Sequence, residues 1–293
     1  MHPLLADRVA LDLLFLVLGV VVAALVGFGG LLRSGVPARE ALRLQAMLAL
    51  AGLLGAKLYS FIERGGMILP VASELTQGFR YPGALLAIIL FLPLLARRWC
   101  RRARFATLGD ALAPSVGFGA ALVRLGCLYK GCCFGVTTRV PWAVQFAPHS
   151  PAWNAHVAAG LIGVEADASL PVHPLQLYFI VLSLAAALFA LWLRSRKAYQ
   201  GEVALAFLAS DGLGKWALET LRHESLPAVQ MASLVIAIGA VTLLTLIPIV
   251  AEPTPKALAI RGLGGAPSRS RPKALVTPKR PPLRSRPLPD RAE

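Results

Sequence analysis

The segment Gly117-Phe-Gly-Ala-Ala-Leu-Val-Arg-Leu-Gly-Cys-Leu-Tyr-Lys-Gly-Cys-Cys-Phe-Gly135 closes a long apolar stretch and decides the fold class of this chain. The stretch is long enough to cross a bilayer as a helix, and Arg124 lies near its end. A cation in hydrocarbon costs at least ~2.5–3.5 kcal/mol, so such an arginine normally has a partner and a purpose. The segment therefore predicts a membrane helix that ends in a functional arginine.

The composition of the whole chain agrees with a membrane protein. Of its 293 residues, 56% are hydrophobic and only 15% are charged. Soluble domains carry roughly a quarter charged residues. The N-terminal apolar run, 9–32, is longer than a signal-peptide core and lacks a small-x-small cleavage site, so we interpret it as a retained span. Four cysteines are too few for a disulfide scaffold in a chain of this size.

Apolar segments of about the length of a bilayer recur along the chain, and they predict an all-α polytopic membrane protein with seven transmembrane helices. Two prolines make the third segment the least regular. The predicted spans are 9–32, 44–62, 81–96, 108–128, 175–193, 201–222 and 228–250.

Lys and Arg cluster in alternate loops, and this pattern predicts the orientation. Clusters follow the first, third and fifth spans, and a further one lies in the tail. The positive-inside rule places these regions in the cytoplasm of a bacterial inner membrane, with the N-terminus outside. The net charge of +15 is then a topology signal, and nucleic-acid binding is not expected.

The chain divides into a membrane domain, 1–250, and a tail, 251–293. The tail is basic and rich in proline, so we expect a disordered cytoplasmic segment. It is either attracted to anionic lipids of the inner leaflet or simply solvated. An outer arm is predicted over 136–172, where Trp142 and Trp153 suggest a position at the membrane interface.

Several charged residues fall within or at the ends of spans. Lys57, Arg124, Lys215 and Arg222 all lie toward the outer ends of their helices. Helical spacing also places four residues on one face that must point into the bundle, namely Asp211, Lys215, Glu219 and Arg222. These four could simply form two ion pairs that hold helices together. That interpretation leaves Arg124 and Lys57 unexplained, and surplus positive charge at one depth suits a phospholipid phosphate.

The cysteines and histidines near the outer side leave several interpretations open. Cys127, Cys132 and Cys133 could be buried apolar side chains, a disulfide or metal ligands, and their spacing favours packing or a disulfide over a metal. His173 could carry a proton at neutral pH, although a structural histidine at a helix start is commoner.

Five motifs in order resemble the prolipoprotein diacylglyceryl transferase family. They cover the region from Leu48 to Ser225, and their combination is more specific than any one of them. The motifs are Gly52-x-x-Gly55-Ala-Lys-Leu-Tyr59, Arg124-Leu-Gly-Cys with Gly131-Cys-Cys-Phe-Gly135, Pro141-Trp142-Ala-Val, His173-Pro-Leu-Gln-Leu-Tyr178, and Gly212-Leu-Gly-Lys-Trp-Ala-Leu-Glu219-Thr-Leu-Arg222.

The resemblance implies a seven-helix bundle with a periplasmic arm. It also implies transfer of the diacylglyceryl group of phosphatidylglycerol to the lipobox cysteine of prolipoprotein signal peptides, without a cofactor. Arg124 matches the family's phosphate-binding arginine, and Glu219 and Arg222 match its sixth-span motif. Further substrate contacts are expected from the matched motifs, namely Lys57, Tyr59, Lys215, His173, Gln176 and Tyr178.

The chain departs from the family pattern in the residues that would handle protons. Cys127 and Cys132 stand where the family has Asn and Glu, and Lys215 stands for an arginine. Tyr81 occupies the place of a third-span histidine to which a catalytic role is often given, so we expect Tyr81 or His173 to substitute for it. An alternative is a non-catalytic or redox-active lipid-binding membrane protein on the same scaffold.

Overall fold

The computed structural model describes residues 3–63, 65, 81–101, 103–224 and 227–250. These residues form helices, with isolated β-bridges but no strand among them. The predicted tail, 251–293, lies outside the described residues. The helices are α1 Pro3–Arg33, α2 Ala38–Glu63, α3 Tyr81–Trp99, α4 Phe105–Lys130, α5 Pro151–Ala158, α6 Leu175–Arg194, α7 Glu202–Glu219 and α8 Pro227–Val250.

Six of the described helices are long and apolar enough to cross a membrane, namely α1 to α4, α6 and α8. The protein is therefore an all-helical, multi-pass membrane protein. The prediction of seven spans is not confirmed, because α7 falls outside this set. Its 18 residues include Glu202, Asp211, Lys215 and Glu219, and this charge lowers its hydropathy.

The outer surface of the bundle is apolar, as a lipid environment requires. Leucine and isoleucine side chains on α1, α2 and α3 are widely exposed; Leu25, Ile62 and Leu90 each retain 64–66% of their accessible surface. A water-soluble protein rarely exposes so continuous an apolar surface. The charged side chains of α7 instead point inward.

Helix α4 lies at the centre of the bundle and packs against α1, α6 and α7. Close approach depends on small residues. A Cβ atom at Gly117 would lie 2.6 Å from the carbonyl oxygen of Ser183 and 2.8 Å from Cβ of Ala187 on α6. Any larger residue there would push the helices apart, so helix packing, as interpreted from the sequence, accounts for this glycine.

A turn at Gly131 ends α4 and leads into the predicted arm, 136–172. Gly131 adopts φ 74° and donates its N–H to the carbonyl oxygens of Cys127 and Leu128. The arm contains the short helix α5, which Ser150 caps by accepting a hydrogen bond from the N–H of Trp153. A small core of Phe134, Phe146, Ala152 and Val172 holds the arm together.

Trp153 differs from the expectation of an interfacial tryptophan. Its side chain is 5% exposed, and its indole N–H donates to the carbonyl oxygen of Ala166 at 2.8 Å. The indole therefore fills the interior of the arm, because a hydrogen-bond partner is available there. Trp142, in contrast, is 60% exposed.

The start of α7 is fixed by a carboxylate from α4. Asp110 is buried, and its oxygens accept hydrogen bonds from the N–H groups of Gly201 at 2.9 Å and Ala204 at 3.0 Å. Lys197 neutralises the same carboxylate at 2.7 Å. Asp110 thus caps a helix from a distant part of the chain and sets how α7 enters the bundle.

Candidate active site

Three of the four charged residues predicted to share one helical face lie on a buried face of α7. Asp211, Lys215 and Glu219 are each at most 6% exposed, whereas Arg222 lies three residues beyond the end of α7 and is half-buried. Two ion pairs form, Lys215–Asp211 at 2.7 Å and Arg222–Glu219 at 3.1 Å. The pairing that the sequence left open is therefore present, and it explains how the charges are tolerated inside the bundle.

Tyr81 joins the start of α3 to this face. Its hydroxyl donates to Oδ2 of Asp211 at 2.7 Å, the same oxygen that accepts from Lys215. The ammonium nitrogen of Lys215 lies 3.2 Å from the centre of the Tyr81 ring. This cation–π contact and the shared carboxylate make a compact triad. Asp211 was noted in the sequence only as part of the charged face.

Arg124 lies in the same group of charges but is not neutralised within it. Its guanidinium lies 4.4 Å from the centre of the Phe179 ring, and it interacts electrostatically with Glu219, Lys215 and Tyr81. Within the described part of the chain, no carboxylate forms an ion pair with it. An aromatic face orients a guanidinium without neutralising it, so Arg124 remains able to bind an anion.

Three cysteines converge beside Arg124. The sulfur atoms of Cys127, Cys132 and Cys133 all lie within 4.8 Å of one another, and each is a free thiol. Cys133 lies beyond the end of α4 in a left-handed conformation, φ 59°. The pKa of its thiol lies well below the usual value, first because neighbouring thiols hydrogen-bond to it and then because Arg124 and Arg222 are close.

Backbone pairing holds the cysteine loop against the end of α7. Gly135 forms an antiparallel bridge with Arg222, and the N–H of Val136 donates to the carbonyl oxygen of Leu221 at 2.8 Å. The side chain of Gln176 donates to the carbonyl oxygen of Cys132 at 2.7 Å. The thiols and the Glu219–Arg222 pair therefore meet, although they are far apart in sequence.

His173 and Tyr178 form a separate chain of hydrogen bonds. Trp142 donates its indole N–H to the Tyr178 oxygen at 2.7 Å, and that hydroxyl lies 3.1 Å from Nδ1 of His173. This chain links the arm to the start of α6. Among the described residues, the hydrogen-bond partners in this chain do not include the charged residues of α7. This setting resembles that of a structural histidine at a helix start, the commoner role for such a residue.

Lys57 and Tyr59 lie half-buried on α2. Tyr59 packs against Gly83, near Tyr81 at the start of α3. Phe179 is a contact that the sequence did not indicate, because nothing distinguishes it from the other apolar residues of α6.

A cavity of about 650 Å³ lies at the opposite end of the bundle. Arg98, Arg101 and Arg104 contribute to its lining together with Glu40 and Gln200. It contains none of the residues of the charged face. The arrangement that combines an available guanidinium, buried carboxylates and thiols is therefore the candidate active site.

The chain is similar to one group of known proteins over most of its length. Residues 13–246 match the family model described as prolipoprotein diacylglyceryl transferase. A phosphatidylglycerol–prolipoprotein diacylglyceryl transferase of Clostridium tetani is 28% identical over 63% of this chain and 69% of the relative. A similarly named protein of Leifsonia xyli is 28% identical over 76% of this chain and 67% of its own length. A third, from Clostridium perfringens, is 24% identical over 67% and 75% respectively.

Proposed function

This chain belongs to the prolipoprotein diacylglyceryl transferase family, and we propose that it moves the diacylglyceryl group of phosphatidylglycerol to the lipobox cysteine thiol of prolipoproteins. The names of its relatives support both substrates. The same comparisons favour a transferase over a non-catalytic lipid-binding protein.

The enzyme lies in the bacterial inner membrane and crosses it seven times, with α7 as the additional crossing. A charged helix can span the bilayer when its polar face is buried in protein, and the charged face of α7 is buried. Basic residues follow α1, α3 and α6, so these ends lie in the cytoplasm and the N-terminus lies outside. The candidate active site then lies toward the outer leaflet.

Arg124 binds the phosphate of the phospholipid. The observation that carries this assignment is its half-buried guanidinium, which stacks on Phe179 and has no ion pair among the described residues. Three cations, Arg124, Lys215 and Arg222, face two carboxylates in this cluster. The group therefore keeps a surplus positive charge that a phosphodiester neutralises.

Arg222 is the second phosphate contact, and Glu219 orients it through their ion pair. As the sulfur of the incoming cysteine bonds to the glycerol carbon, the bond from that carbon to the phosphate oxygen breaks. Negative charge then increases on the departing glycerol phosphate. Guanidinium groups already in place stabilise that charge in the transition state.

The remaining residues position these groups. Tyr81 and Lys215 hold Asp211 beside the reacting atoms. Gln176 fixes the cysteine loop, and His173 and Tyr178 tie the arm to α6 where the signal peptide approaches. Lys57 and Tyr59 add contacts to the lipid headgroup from α2.

Complementation in cells depleted of their own transferase tests the proposal. We expect the chain to restore lipid modification of a reporter prolipoprotein and Arg124→Ala to abolish it. Loss of one such charge-stabilising donor typically lowers the rate roughly 10²–10³-fold. Arg139→Ala removes an exposed arginine of the arm and serves as the matched control. Failure of the parent chain to restore modification, or full activity of Arg124→Ala, would overturn the proposal.

A further inference from the structure

The loop that follows α4 brings three thiols to one point. Cys127 lies in the last turn of the helix, and the left-handed turn at Gly131 reverses the chain so that Cys132 and Cys133 return toward it. All three sulfur atoms lie within 4.8 Å of one another and are partly exposed. Cys133 lies in the left-handed region at φ 59°, where residues other than glycine are strained. Packing alone does not account for a cysteine at this position.

Three convergent thiols match the ligand set of a thiophilic metal ion. Zinc–sulfur bonds of about 2.3 Å in a tetrahedral arrangement place the sulfur atoms ~3.8 Å apart. The sulfur atoms of the cluster lie within 4.8 Å of one another, which is close to that spacing. Structural zinc sites use four protein ligands, whereas catalytic sites use three and leave the fourth position for water or substrate. This cluster has three.

The surroundings suit the charge of such a site. A divalent ion with three thiolates carries one net negative charge. The adjacent group of Arg124, Lys215, Arg222, Asp211 and Glu219 carries one net positive charge, and Arg124 lies one helical turn before Cys127 on the same helix. The positive charge therefore favours the thiolate form of the three cysteines.

Activation of the substrate thiol requires a group that the rest of the cluster does not provide. Asp211 and Glu219 are both engaged in ion pairs, the remaining oxygen of Asp211 is fully buried, and the hydroxyl of Tyr81 donates its hydrogen bond to Asp211. His173 is hydrogen-bonded to Tyr178. A metal ion can activate the substrate thiol without a general base, because a thiol that coordinates the ion is deprotonated outright.

We propose that Cys127, Cys132 and Cys133 bind a thiophilic divalent cation such as zinc, and that its open fourth position binds the cysteine sulfur of the incoming prolipoprotein as a thiolate. The identity of that fourth ligand depends on the proposed transferase function; the three-cysteine site does not.

The reaction balances with the groups named. The substrate thiol loses its proton to water when its sulfur joins the metal. A sulfur lone pair then forms the bond to the glycerol carbon, and the electrons of the carbon–oxygen bond pass to the phosphate oxygen. Arg124 stabilises the departing glycerol phosphate. The thioether product is a weaker ligand than a thiolate, so it leaves the metal and the site is free for another cycle.

Cobalt binding to the purified, reduced full-length chain in detergent tests the site directly. We expect about one Co²⁺ per chain, with the absorption of tetrahedral cobalt bound by sulfur. Cys127→Ser, Cys132→Ser and Cys133→Ser should each weaken binding by at least ~10–100-fold, because even outer-sphere changes have effects of that size. Cys100→Ser removes a buried cysteine at the other end of the bundle and should bind cobalt like the parent.

A lipobox peptide then tests the fourth position. We expect the peptide to change the cobalt spectrum, and its Cys→Ser counterpart to leave the spectrum unchanged. Equal binding by the parent and the triple serine variant, or a disulfide that persists in reductant, would overturn the site. Thermal unfolding of each variant shows whether it is folded.

The metal readout separates this inference from the proposed function. An active transferase that binds no cobalt through these cysteines overturns the inference alone. A cobalt-binding chain that fails complementation overturns the proposed function and leaves the three-cysteine site in place.

Discussion

Tyr81 shows how one side chain can join separate parts of the site. Its hydroxyl and the ammonium group of Lys215 share Oδ2 of Asp211, and its ring faces the same ammonium group. The phenol therefore supports a buried ion pair in two ways. A hydrogen bond to a charged group contributes ~1.5–3 kcal/mol.

Tyr81→Phe separates these contributions, because it keeps the ring and removes the hydroxyl. We expect the free energy of unfolding to fall by about 1.5–3 kcal/mol. The transfer rate should fall about tenfold, since the hydroxyl positions Asp211 and Lys215 without touching the reacting atoms. Unfolding in mixed micelles and an assay of lipid transfer to a peptide provide the two measurements. A rate loss of 10³-fold or more would mean that the hydroxyl takes part in proton transfer.

His156 makes the stability of the arm depend on pH. The imidazole is fully buried, and its Nδ1 accepts the N–H of Leu170 at 3.1 Å. Burial lowers the pKa of His156, and the nearby His223 lowers it further. The folded arm thus favours the neutral imidazole. The contribution of neutral His156 to stability is complete above about pH 6.5, the pKa of a histidine in the unfolded chain. It is lost as the pH falls below that value.

Limited proteolysis of the arm should therefore become faster between pH 7.5 and 5.5 in the parent chain. His156→Asn keeps an acceptor near the Nδ1 position and does not titrate, so its cleavage should show a weaker pH dependence. His149→Asn changes an exposed histidine and should behave like the parent. An identical pH profile for His156→Asn would contradict this explanation.

At the scale of the elements, α7 depends on a cap that comes from α4. Asp110 accepts two backbone N–H groups at the start of α7 and pairs with Lys197. The charged residues of the site lie on the same helix, toward its other end. Because the cap fixes the start of α7, it also helps to position the charged residues toward the other end of the helix.

Removal of this cap should be costly. We expect Asp110→Ala to lower the free energy of unfolding by ~3–5 kcal/mol, because it leaves two helix-end N–H groups without their acceptor and removes the carboxylate that pairs with Lys197. Asp167→Ala changes an exposed carboxylate of the arm and should stay within about 0.5 kcal/mol of the parent. Denaturation of both variants in mixed micelles gives the comparison, and equal stabilities would exclude a capping role.

The elements also show what sequence patterns can and cannot predict. Helical spacing placed Asp211, Lys215 and Glu219 on one buried face, because local periodicity alone determines which residues share a side. Helix ends were predicted to within a few residues for most spans. The short helix α5 was missed, although Ser150 followed by Pro151 is a recognisable helix start.

Contacts between distant segments could not be predicted from the sequence. The bridge from Gly135 to Arg222 and the stacking of Arg124 on Phe179 depend on how the chain returns to itself in three dimensions. The convergence of the three thiols depends likewise on two left-handed residues, and one of them, Cys133, is not a glycine. The motif resemblance pointed to the same segments but did not indicate these partners.

At the scale of the whole molecule, the path of α7 decides the orientation of everything after it. If α7 crosses the bilayer, the C-terminus and the arm lie on opposite sides. If it does not, both lie on the same side. We expect a fluorescent protein fused to the C-terminus to fluoresce and an alkaline phosphatase fused there to be inactive, because phosphatase folds only outside the cytoplasm.

The same reporters inserted after Lys197 provide the control, since the proposed orientation places this position in the cytoplasm whether or not α7 crosses the bilayer. An active phosphatase at the C-terminus, with an inactive one after Lys197, would establish six crossings. A fluorescent C-terminal fusion with the same control result would establish seven.

The shared carboxylate of Tyr81 and Lys215 also has a consequence for synthesis on the ribosome. Tyr81 precedes Asp211 by 130 residues. At ~5–20 residues per second, its hydroxyl enters the membrane roughly 7–26 s before its acceptor is translated. During that interval neighbouring helices or lipid headgroups must satisfy the phenol. A chain that terminates before residue 211 contains Arg124 and the three cysteines but not the charged residues of α7, so we expect a prematurely terminated chain to be inactive.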